Sequence, residues 1–385
     1  MKLKVQWGIF RDLLRENVKM KHRIISAGHI CIDLTPMIPG SARGKMPGEL
    51  LVPGRLVRVD SAMVAPGGSA FTVGMTMKRL GNDAAVLGKV GKDALGGMIR
   101  EALNDAGVTG LIESGDVTTS YTFVLAIPGV DRCFLHHPGA NDTFTADDIP
   151  EEALEGAELF HFGYPPLMRS MYENEGEELL RLFRRVKGHG IATSLDLAAV
   201  DPNSDAGKAP WEAILRKVLP YVDFFMPSFE ELCYMLNRPR YEELAAKGGD
   251  MAEGLDLEQD AAPLADICLG MGCGCAVIKC GVSGMYYEAA GTERIRAIGP
   301  GAWPEPAIWA GAKGCQPCFP ADVKSAVGAG DVSIAAFLTA ALEGRSPADC
   351  AMLAAAEGAA SVTAYDTQSG ILPLEELERQ IRGTV

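Results

Sequence analysis

Ser325-Ala-Val-Gly-Ala-Gly-Asp331 is a glycine-rich turn that stands directly before an apolar helical run over residues 332–342. Small residues let successive backbone N–H groups converge on one point, and a helix start adds free N–H donors and the positive end of the helix dipole. The turn therefore suits an anion, with the Asp331 carboxylate beside it. This arrangement is typical of phosphoryl transfer, in which an aspartate takes a proton from the attacking hydroxyl. The same pattern also fits an aspartate that caps an ordinary helix.

A second glycine-rich turn, Pro66-Gly67-Gly68-Ser-Ala-Phe-Thr72, also opens a helical pattern, which ends at Gly81. Around the two turns, short apolar runs of β type alternate with helical patterns. The alternation predicts βαβ units and a mainly parallel sheet. The predicted strands cover residues 24–27, 84–88, 159–162, 192–195, 224–226 and 276–280.

The two turns, with Leu87-Gly-Lys-Val-Gly91-Lys-Asp93 between them, resemble the ribokinase-like (PfkB) carbohydrate kinase family. The resemblance runs in the family's order from Ile24 to Leu374. It implies an α/β fold, a three-layer α/β/α sandwich with a mainly parallel central sheet, and a small β-sheet lid. It also implies an ATP-dependent phosphotransferase that acts on a primary hydroxyl of a sugar or sugar-like molecule, with ATP and Mg2+ as cofactors.

In the family, the C-terminal glycine turn supplies the anion hole and the catalytic base. The resemblance therefore assigns the anion hole to Gly328, Ala329 and Gly330, and the base to Asp331. Ser325 stands where the family usually has an aspartate that helps to order a monovalent-cation loop, so dependence on potassium (K+) is left open. The sequence has no Walker-type Gly-Lys-Ser/Thr motif, which disfavours a P-loop enzyme.

The residues expected on the acceptor side of the site are Asp33, Gly67, Gly68, Thr72 and Asn141. Asp33 follows the first predicted strand, at the edge where open α/β sheets bind ligands, and a carboxylate there can accept hydrogen bonds from two hydroxyls. The glycine pair would let the backbone approach the sugar closely. Thr72 stands where the family usually has asparagine, and Asn141 matches a family segment at the lid edge. For Asp33 the alternative is an ordinary turn or cap aspartate.

The residues expected on the nucleotide and metal side are Lys279, Gly281, Gly284 and Glu231. The segment from Val277 to Gly284 resembles the strand and Gly-x-x-Gly turn that meets ATP phosphates in the family, and Lys279 is either a phosphate contact or a solvated lysine at the strand end. Glu231 keeps the glutamate of the family's Asn-x-x-Glu motif and would hold magnesium through water. Otherwise Glu231 is a first-turn acid that interacts with the helix dipole. Asp196 ends another predicted strand and has no assigned role.

The chain divides into an N-terminal extension, residues 1–21, and a kinase domain, residues 22–385. In the extension, apolar residues recur at helical spacing among basic residues. This pattern fits a docking helix, a membrane-surface helix, or sequence upstream of a start at Met20. The N-terminal residues lack the apolar core expected of a signal peptide.

Two stretches of the kinase domain, about 34–66 and 117–138, are expected to supply the lid strands. Because lid strands in the family often pair with those of a second subunit, the resemblance implies a homodimer. Two further stretches, near 241–272 and 298–320, are expected to be insertions. The second is either a flap on the nucleotide side or a surface loop.

Composition excludes several other classes of protein. The formal net charge is −14 and no block rich in lysine and arginine interrupts it, which disfavours a nucleic-acid partner. No apolar stretch is long enough to predict a membrane span. The ten cysteines are mostly scattered singly, as expected of reduced thiols in a cytoplasmic protein. Two close pairs, Cys273 with Cys275 and Cys315 with Cys318, have spacings that fit a zinc site poorly.

Two other functions stay open at the level of sequence. A nucleoside kinase would need a pocket for a base beside the sugar, and Phe71 and Phe123 are candidates to stack on it. A non-catalytic sensor of sugar or nucleotide would explain why Thr72 and Ser228 replace two asparagines of the family pattern. The retained Asp331 argues against the sensor. Few cleft contacts decide specificity, so the sequence does not name the acceptor.

Overall fold

The computed structural model describes residues 22–130, 132–299, 305–364, 366 and 368–383. The predicted extension 1–21 lies outside the described residues, as does part of the second predicted insertion. The strands are β1 Arg23–Gly28, β2 Cys31–Pro36, β3 Ala62–Gly67, β4 Asp83–Leu87, β5 Lys89–Gly91, β6 Ile112–Ser114, β7 Tyr121–Leu125, β8 Cys133–His137, β9 Leu159–Gly163, β10 Ala192–Leu195, β11 Phe224–Phe225, β12 Cys275–Lys279, β13 Met285–Ala289 and β14 Lys313–Gln316.

Helices follow most of these strands. They are α1 Pro47–Leu50, α2 Ser69–Arg79, α3 Ala94–Asp105, α4 Glu151–Leu154, α5 Arg169–Tyr172, α6 Glu177–Gly188, α7 Asp205–Lys208, α8 Trp211–Val218, α9 Phe229–Leu236, α10 Arg238–Ala245, α11 Ala262–Gly270, α12 Thr292–Arg296, α13 Pro306–Trp309, α14 Ala329–Leu342, α15 Pro347–Ser361 and α16 Leu374–Gly383. No helix in this described part of the chain has the length and apolar character needed to cross a bilayer.

The main sheet has the strand order β14-β13-β12-β11-β10-β9-β1-β4 among the described residues. Its strands from β12 to β4 in that order pair in parallel, whereas β13 and β14 add an antiparallel edge. Neighbouring residues on one strand enter different clusters of buried residues: Ile24 and Phe224 pack on one face, and Ile25 and Phe225 on the other. Both faces are therefore covered, as a parallel sheet requires. The predicted three-layer sandwich is confirmed.

A smaller sheet with the order β3-β2-β7-β8 stands apart from the main sheet and corresponds to the predicted lid. Strand β2 pairs antiparallel with β3 and parallel with β7, and β7 pairs antiparallel with β8. The register places Asp33 opposite Ala65 on one side and Thr122 on the other, with His136 opposite Thr122. Because side chains alternate along a strand, these residues share one face of the small sheet.

The regions predicted as insertions contribute to the packing. Trp309 in α13 is fully buried and makes edge contacts with the rings of Phe224 and Phe337. Strand β14 then extends the main sheet at its antiparallel edge. In the other region, the Ser283 hydroxyl donates to the Ala252 carbonyl over 2.6 Å. Trp309 is therefore part of the core, and residues 313–316 are part of the main sheet.

Candidate active site

A cavity of about 620 Å³ is lined by both glycine turns and by one face of the small sheet. Gly67 and Gly68 come from the first turn, Gly328 and Asp331 from the second, and Asp33 from β2. Its volume lies within the ~300–1,000 Å³ that is usual for ligand pockets. Two segments more than 250 residues apart thus meet, because the helices that they open, α2 and α14, pack against each other.

Asp331 is in the first turn of α14 and only 3% exposed. Gly328 caps this helix with a φ of 74°, a backbone conformation that favours glycine. The Tyr164 hydroxyl donates to Asp331 Oδ2 over 3.0 Å. Asp331 Oδ1 has no hydrogen-bond partner among the described residues. One carboxylate oxygen is therefore held in place, and the other is available to a ligand at the helix start.

The pKa of Asp331 is raised to about 6, mainly because the carboxylate is buried. The Lys279 ammonium and the hydroxyls of Tyr164 and Ser69 lower the pKa of Asp331, while the Glu231 carboxylate raises it. A general base is most effective when its pKa lies near the working pH. At neutral pH Asp331 is ionised, but it holds a proton far better than an exposed aspartate.

Tyr164 was not identified from the sequence. It directly follows β9 and has a φ of 63°, which is unusual for a residue other than glycine. Strained residues of this kind cluster at functional sites. Burial and the nearby carboxylates raise the pKa of the Tyr164 hydroxyl, which therefore stays protonated as a hydrogen-bond donor. Its place at the carboxyl end of a predicted central strand is the signal that could have found it.

Lys279 is a buried, paired lysine, and the solvated alternative is wrong. Its side chain is 14% exposed, and its Nζ lies 2.6 Å from Asp196 Oδ1. It also donates to the Met226 carbonyl. A β-carbon on Gly330 would lie 3.3 Å from Lys279 Cε, so the lysine stem runs along the anion turn. Lys279 thereby brings a positive charge to the start of α14.

Asp196 lies deep in the same charged group and is 2% exposed. Burial raises the pKa of Asp196 to about 8; the Lys279 ammonium opposes this increase, and Glu231 and Asp331 add to it. Glu231 lines the cavity, and its Oε2 accepts a hydrogen bond from the Ser228 backbone N–H over 2.8 Å. Ser228 and Glu231 thus form a capping box at the start of α9. Glu231 therefore caps the start of α9 and also lines the cavity.

Glycine at positions 67 and 68 makes room for two cavity side chains. A β-carbon on Gly67 would overlap Asp33 Oδ2. A β-carbon on Gly68 would lie 2.6 Å from the His29 carbonyl oxygen and 2.8 Å from His29 Nδ1. The sequence predicted close approach of the backbone to a sugar. The structure shows close approach of the backbone to Asp33 and His29, the residues that line the cavity there.

Asp33 is half-buried on the cavity face of β2. Burial raises the pKa of its carboxyl group, and hydrogen bonds from Cys31 and Thr122 oppose the increase. Thr72 lines the cavity as well. His29 and His136 line the cavity too, with ring centroids 5.1 Å apart.

The structure does not bring every predicted residue to the cavity. Asn141 is fully buried, and its amide is engaged by backbone: Nδ2 donates to the Ile30 carbonyl over 3.0 Å, and Oδ1 accepts from the Ile30 N–H over 3.2 Å. Asn141 therefore fixes the segment between β1 and β2, and its prediction as a sugar contact is corrected. Gly281 and Gly284 form a turn after β12 whose glycines pack on Ala252 and on the Gln316 carbonyl.

Residues 21–374 match the family model described as pfkB family carbohydrate kinase. The chain belongs to this family. Among curated proteins, it is 31% identical to fructokinase-1 of Zea mays over 144 residues, or 36% of this chain and 41% of that protein. It is 26% identical to a probable fructokinase-7 of Arabidopsis thaliana over 54% of this chain and 56% of that protein. The chain thus matches about half or less of the length of these relatives.

Members of the family with solved structures share the fold over nearly the whole chain. The ribokinase of Arabidopsis thaliana complexed with ribose and ATP has a TM-score of 0.68 and 17% identity, covering 94% of this chain and 99% of that one. The fructokinase with bound ATP from Xylella fastidiosa has a TM-score of 0.68 and 20% identity, with 94% and 98% covered. At such identities the likeness establishes the fold, and the activity has to be argued from the site.

Proposed function

We propose that this chain is an ATP-dependent kinase that phosphorylates a primary hydroxyl of a sugar or sugar-like molecule. The observation that carries the proposal is the Asp331 carboxylate, held by Tyr164 through one oxygen and unpartnered at the other, at a helix start. It lines the same cavity as Asp33 and the Gly67-Gly68 bend. Base, anion site and acceptor site are therefore within one enclosed space.

Asp331 acts on the acceptor hydroxyl in this proposal. Its free Oδ1 accepts a hydrogen bond from the hydroxyl and takes the proton as the acceptor oxygen bonds to the γ-phosphorus of ATP, while the bond from that phosphorus to the bridging oxygen breaks and ADP leaves. The Tyr164 hydroxyl keeps the carboxylate oriented throughout. Asp33 accepts hydrogen bonds from other hydroxyls of the acceptor and holds the reacting one in line.

The start of α14 and Lys279 stabilise the transferring phosphoryl group. The backbone N–H groups of Gly328 and Gly330 lack helical partners by their position and suit phosphate oxygens, whereas that of Ala329 donates to the Ala326 carbonyl over 3.4 Å. Lys279 lies along Gly330 and adds positive charge where negative charge accumulates. The turn at Gly281 and Gly284 remains the predicted contact for the nucleotide phosphates.

Magnesium bound to ATP would supply charge neutralisation at the phosphates. Glu231 fits it as an acidic residue at the cavity wall, acting through water. The described residues contain no cluster of three or more histidine, cysteine or acidic side chains suited to a metal. In this proposal the ATP phosphates and water supply most of the magnesium ligands.

Release of ADP in the presence of D-fructose, D-ribose or adenosine tests the proposal directly. A sugar kinase releases ADP and forms a phosphorylated sugar in equal amounts. A nucleoside kinase is the second candidate, because Phe71 lines the cavity and can stack on a base. Phe123, in contrast, pairs with Leu34 and Leu135 on the opposite face of the small sheet. Acceptor-induced thermal stabilisation without any product would instead identify a sensor.

We further propose that the outer face of the small sheet pairs with that of a second copy. The register joins Leu34 with Val64 and Phe123, and Phe123 with Leu135, in one apolar row. Val64 is 39% exposed and Leu135 is 63% exposed. Burying such a row on association is favourable. Light scattering should show a dimer that Leu135→Lys converts to a monomer; a wild-type monomer would contradict the proposal.

A further inference from the structure

His29 and His161 are both buried imidazoles, but only His161 has its hydrogen-bonding capacity satisfied. His161 Nε2 lies 3.3 Å from the Ser69 hydroxyl, and its Nδ1 lies 3.1 Å from the Ser194 hydroxyl. His29 is 2% exposed, and neither of its ring nitrogens has a hydrogen-bond partner among the described residues. Leaving a buried polar group unpaired costs ~1–3 kcal/mol. His161 therefore has a structural role, whereas hydrogen bonding within the folded chain does not explain why His29 is buried.

The position of His29 supplies the explanation. Its ring lines the cavity, and its centroid lies 5.1 Å from that of His136 and 6.0 Å from that of Tyr164, the residue that holds Asp331. Gly68 leaves the space that the ring needs, because a β-carbon there would lie 2.8 Å from His29 Nδ1. A ligand in the cavity is thus the available partner for the unpaired nitrogens.

His29 carries no charge at neutral pH. Burial, and to a smaller extent the nearby His136, lower its pKa to about 3. A neutral imidazole offers one N–H donor and one acceptor nitrogen. A hydroxyl group, which both donates and accepts, can pair with either nitrogen, whereas a carboxylate or phosphate oxygen can use only the donor.

The charges around the cavity also favour an uncharged ligand. The lining residues within the described part of the chain include the carboxylates of Asp33, Glu231, Asp331 and Asp366, and no lysine or arginine. Lys279, which runs along the anion turn, is paired with Asp196. An acceptor with its own negative charge would be repelled by these carboxylates, and no lysine or arginine lines the described cavity wall to bind it.

We propose that His29 binds a hydroxyl of an uncharged polyol acceptor and that the acceptor end of the cavity selects against acceptors carrying an anionic group. This inference rests on the proposed kinase function and adds the substrate class and a residue that recognises it. Asp33 and His29 then hold different hydroxyls of one acceptor, with Asp331 at the reacting one.

The first test measures stability without any ligand. His29→Leu removes an unpaired buried imidazole and is expected to leave the melting temperature unchanged or to raise it. His161→Leu, the matched control, breaks two buried hydrogen bonds and is expected to lower the melting temperature. A fall after His29→Leu as large as that after His161→Leu would show that His29 has a structural role, and would overturn the proposal.

The second test measures binding and turnover with D-fructose and D-ribose as uncharged probes and D-gluconate as an anionic one. In His29→Leu, KM for the sugar that wild type phosphorylates should rise at least about tenfold, as the loss of about 1.4 kcal/mol implies, while KM for ATP stays within about twofold. His29→Gln and His29→Asn, which keep a donor and an acceptor, should recover part of the affinity for that sugar.

The outcomes separate this inference from the function on which it rests. If wild type releases ADP with neither sugar, and calorimetry detects no binding of either, both fail. If wild type phosphorylates a sugar and His29→Leu leaves its KM unchanged, only the role of His29 fails. If wild type binds D-gluconate as tightly as that sugar, the selectivity against anions fails. A higher KM for the acceptor in His29→Leu, with KM for ATP nearly unchanged and weak binding of gluconate to wild type, supports the inference.

Discussion

The two ends of the cavity use charge in different ways. At the proposed phosphoryl-transfer end, Asp331, Asp196 and Lys279 are titratable groups, largely shielded from solvent, within one electrostatic network. At the acceptor end, His29 is neutral and unpaired. Positive charge lies at the end where a phosphate would move, whereas the acceptor end offers the Asp33 carboxylate and a neutral imidazole that can pair with hydroxyls. Substitutions at the two ends should therefore change different kinetic constants.

The largest effect is expected from Asp331→Asn. An amide cannot take the hydroxyl proton, so kcat should fall by ~10²–10⁴. ATP affinity should change little, because the backbone of the anion turn is retained. Product formation under saturating acceptor measures kcat, and equilibrium titration measures ATP binding. Asp116→Asn, an exposed loop substitution, is the control. Near-normal turnover in Asp331→Asn would remove the base from the proposed mechanism.

Lys279→Met should lower kcat by about a hundredfold, because a charge that stabilises the phosphoryl group is lost. It also leaves Asp196 buried without its ammonium partner, which is expected to destabilise the fold by ~3–5 kcal/mol. The double variant Lys279→Met with Asp196→Asn separates the two effects. Denaturant unfolding should show recovered stability in the double variant, while kcat stays low. Recovery of kcat along with stability would mean that Lys279 acts only through the fold.

The pH dependence follows from the pKa of Asp331, which is raised to about 6. The base must be ionised, so kcat should fall about tenfold per pH unit below that value. The carboxyl of Asp331 titrates near 3.8 when unperturbed and near 6 in the fold, so between these values the folded protein binds the extra proton. Its contribution to stability is therefore greatest at low pH and declines as pH rises to 6. A flat kcat profile from pH 5 to 8 would contradict this assignment.

Gly68→Ala should have the smallest effect on kcat and act mainly at the acceptor end. The φ of 86° at Gly68 and the close His29 atoms make a β-carbon unfavourable by ~1–3 kcal/mol. A lower melting temperature and a higher acceptor KM are expected. Gly97→Ala, in the middle of α3 with no atom within 4 Å of the added β-carbon, is the matched control and should stabilise the protein by ~0.5–1 kcal/mol. Equal effects of both variants would rule out a special role for Gly68.

Local sequence patterns were sufficient to predict the fold class and to locate the two glycine turns. Short apolar runs of β type predicted the main strands, and the glycine turn before α14 marked Asp331 and Gly328 as candidate site residues. The family resemblance added the roles. Tyr164 and His29 each follow a predicted central strand, but the sequence alone does not show that their side chains line one cavity.

Asn141 shows why position in a motif is not enough. Its sequence context fits a contact with the sugar at the lid edge, but its side-chain amide is hydrogen-bonded to the backbone of Ile30. Lys279 shows the opposite case, in which an ordinary strand-end lysine turns out to be buried beside Asp196. The positions of both side chains depend on hydrogen-bond partners that are far apart in sequence, and a local sequence pattern does not reveal such partners.

The order of residues along this chain specifies the alternation of strands and helices, the two glycine turns and the presence of a carboxylate at a helix start, since these depend on neighbours within a few positions. Which side chains share the cavity, which of them are left unpaired, and how far the Asp331 pKa rises depend on burial and on contacts between strands that are more than a hundred residues apart. Those properties arise only once the chain is folded, because desolvation and long-range pairing exist only in the packed protein.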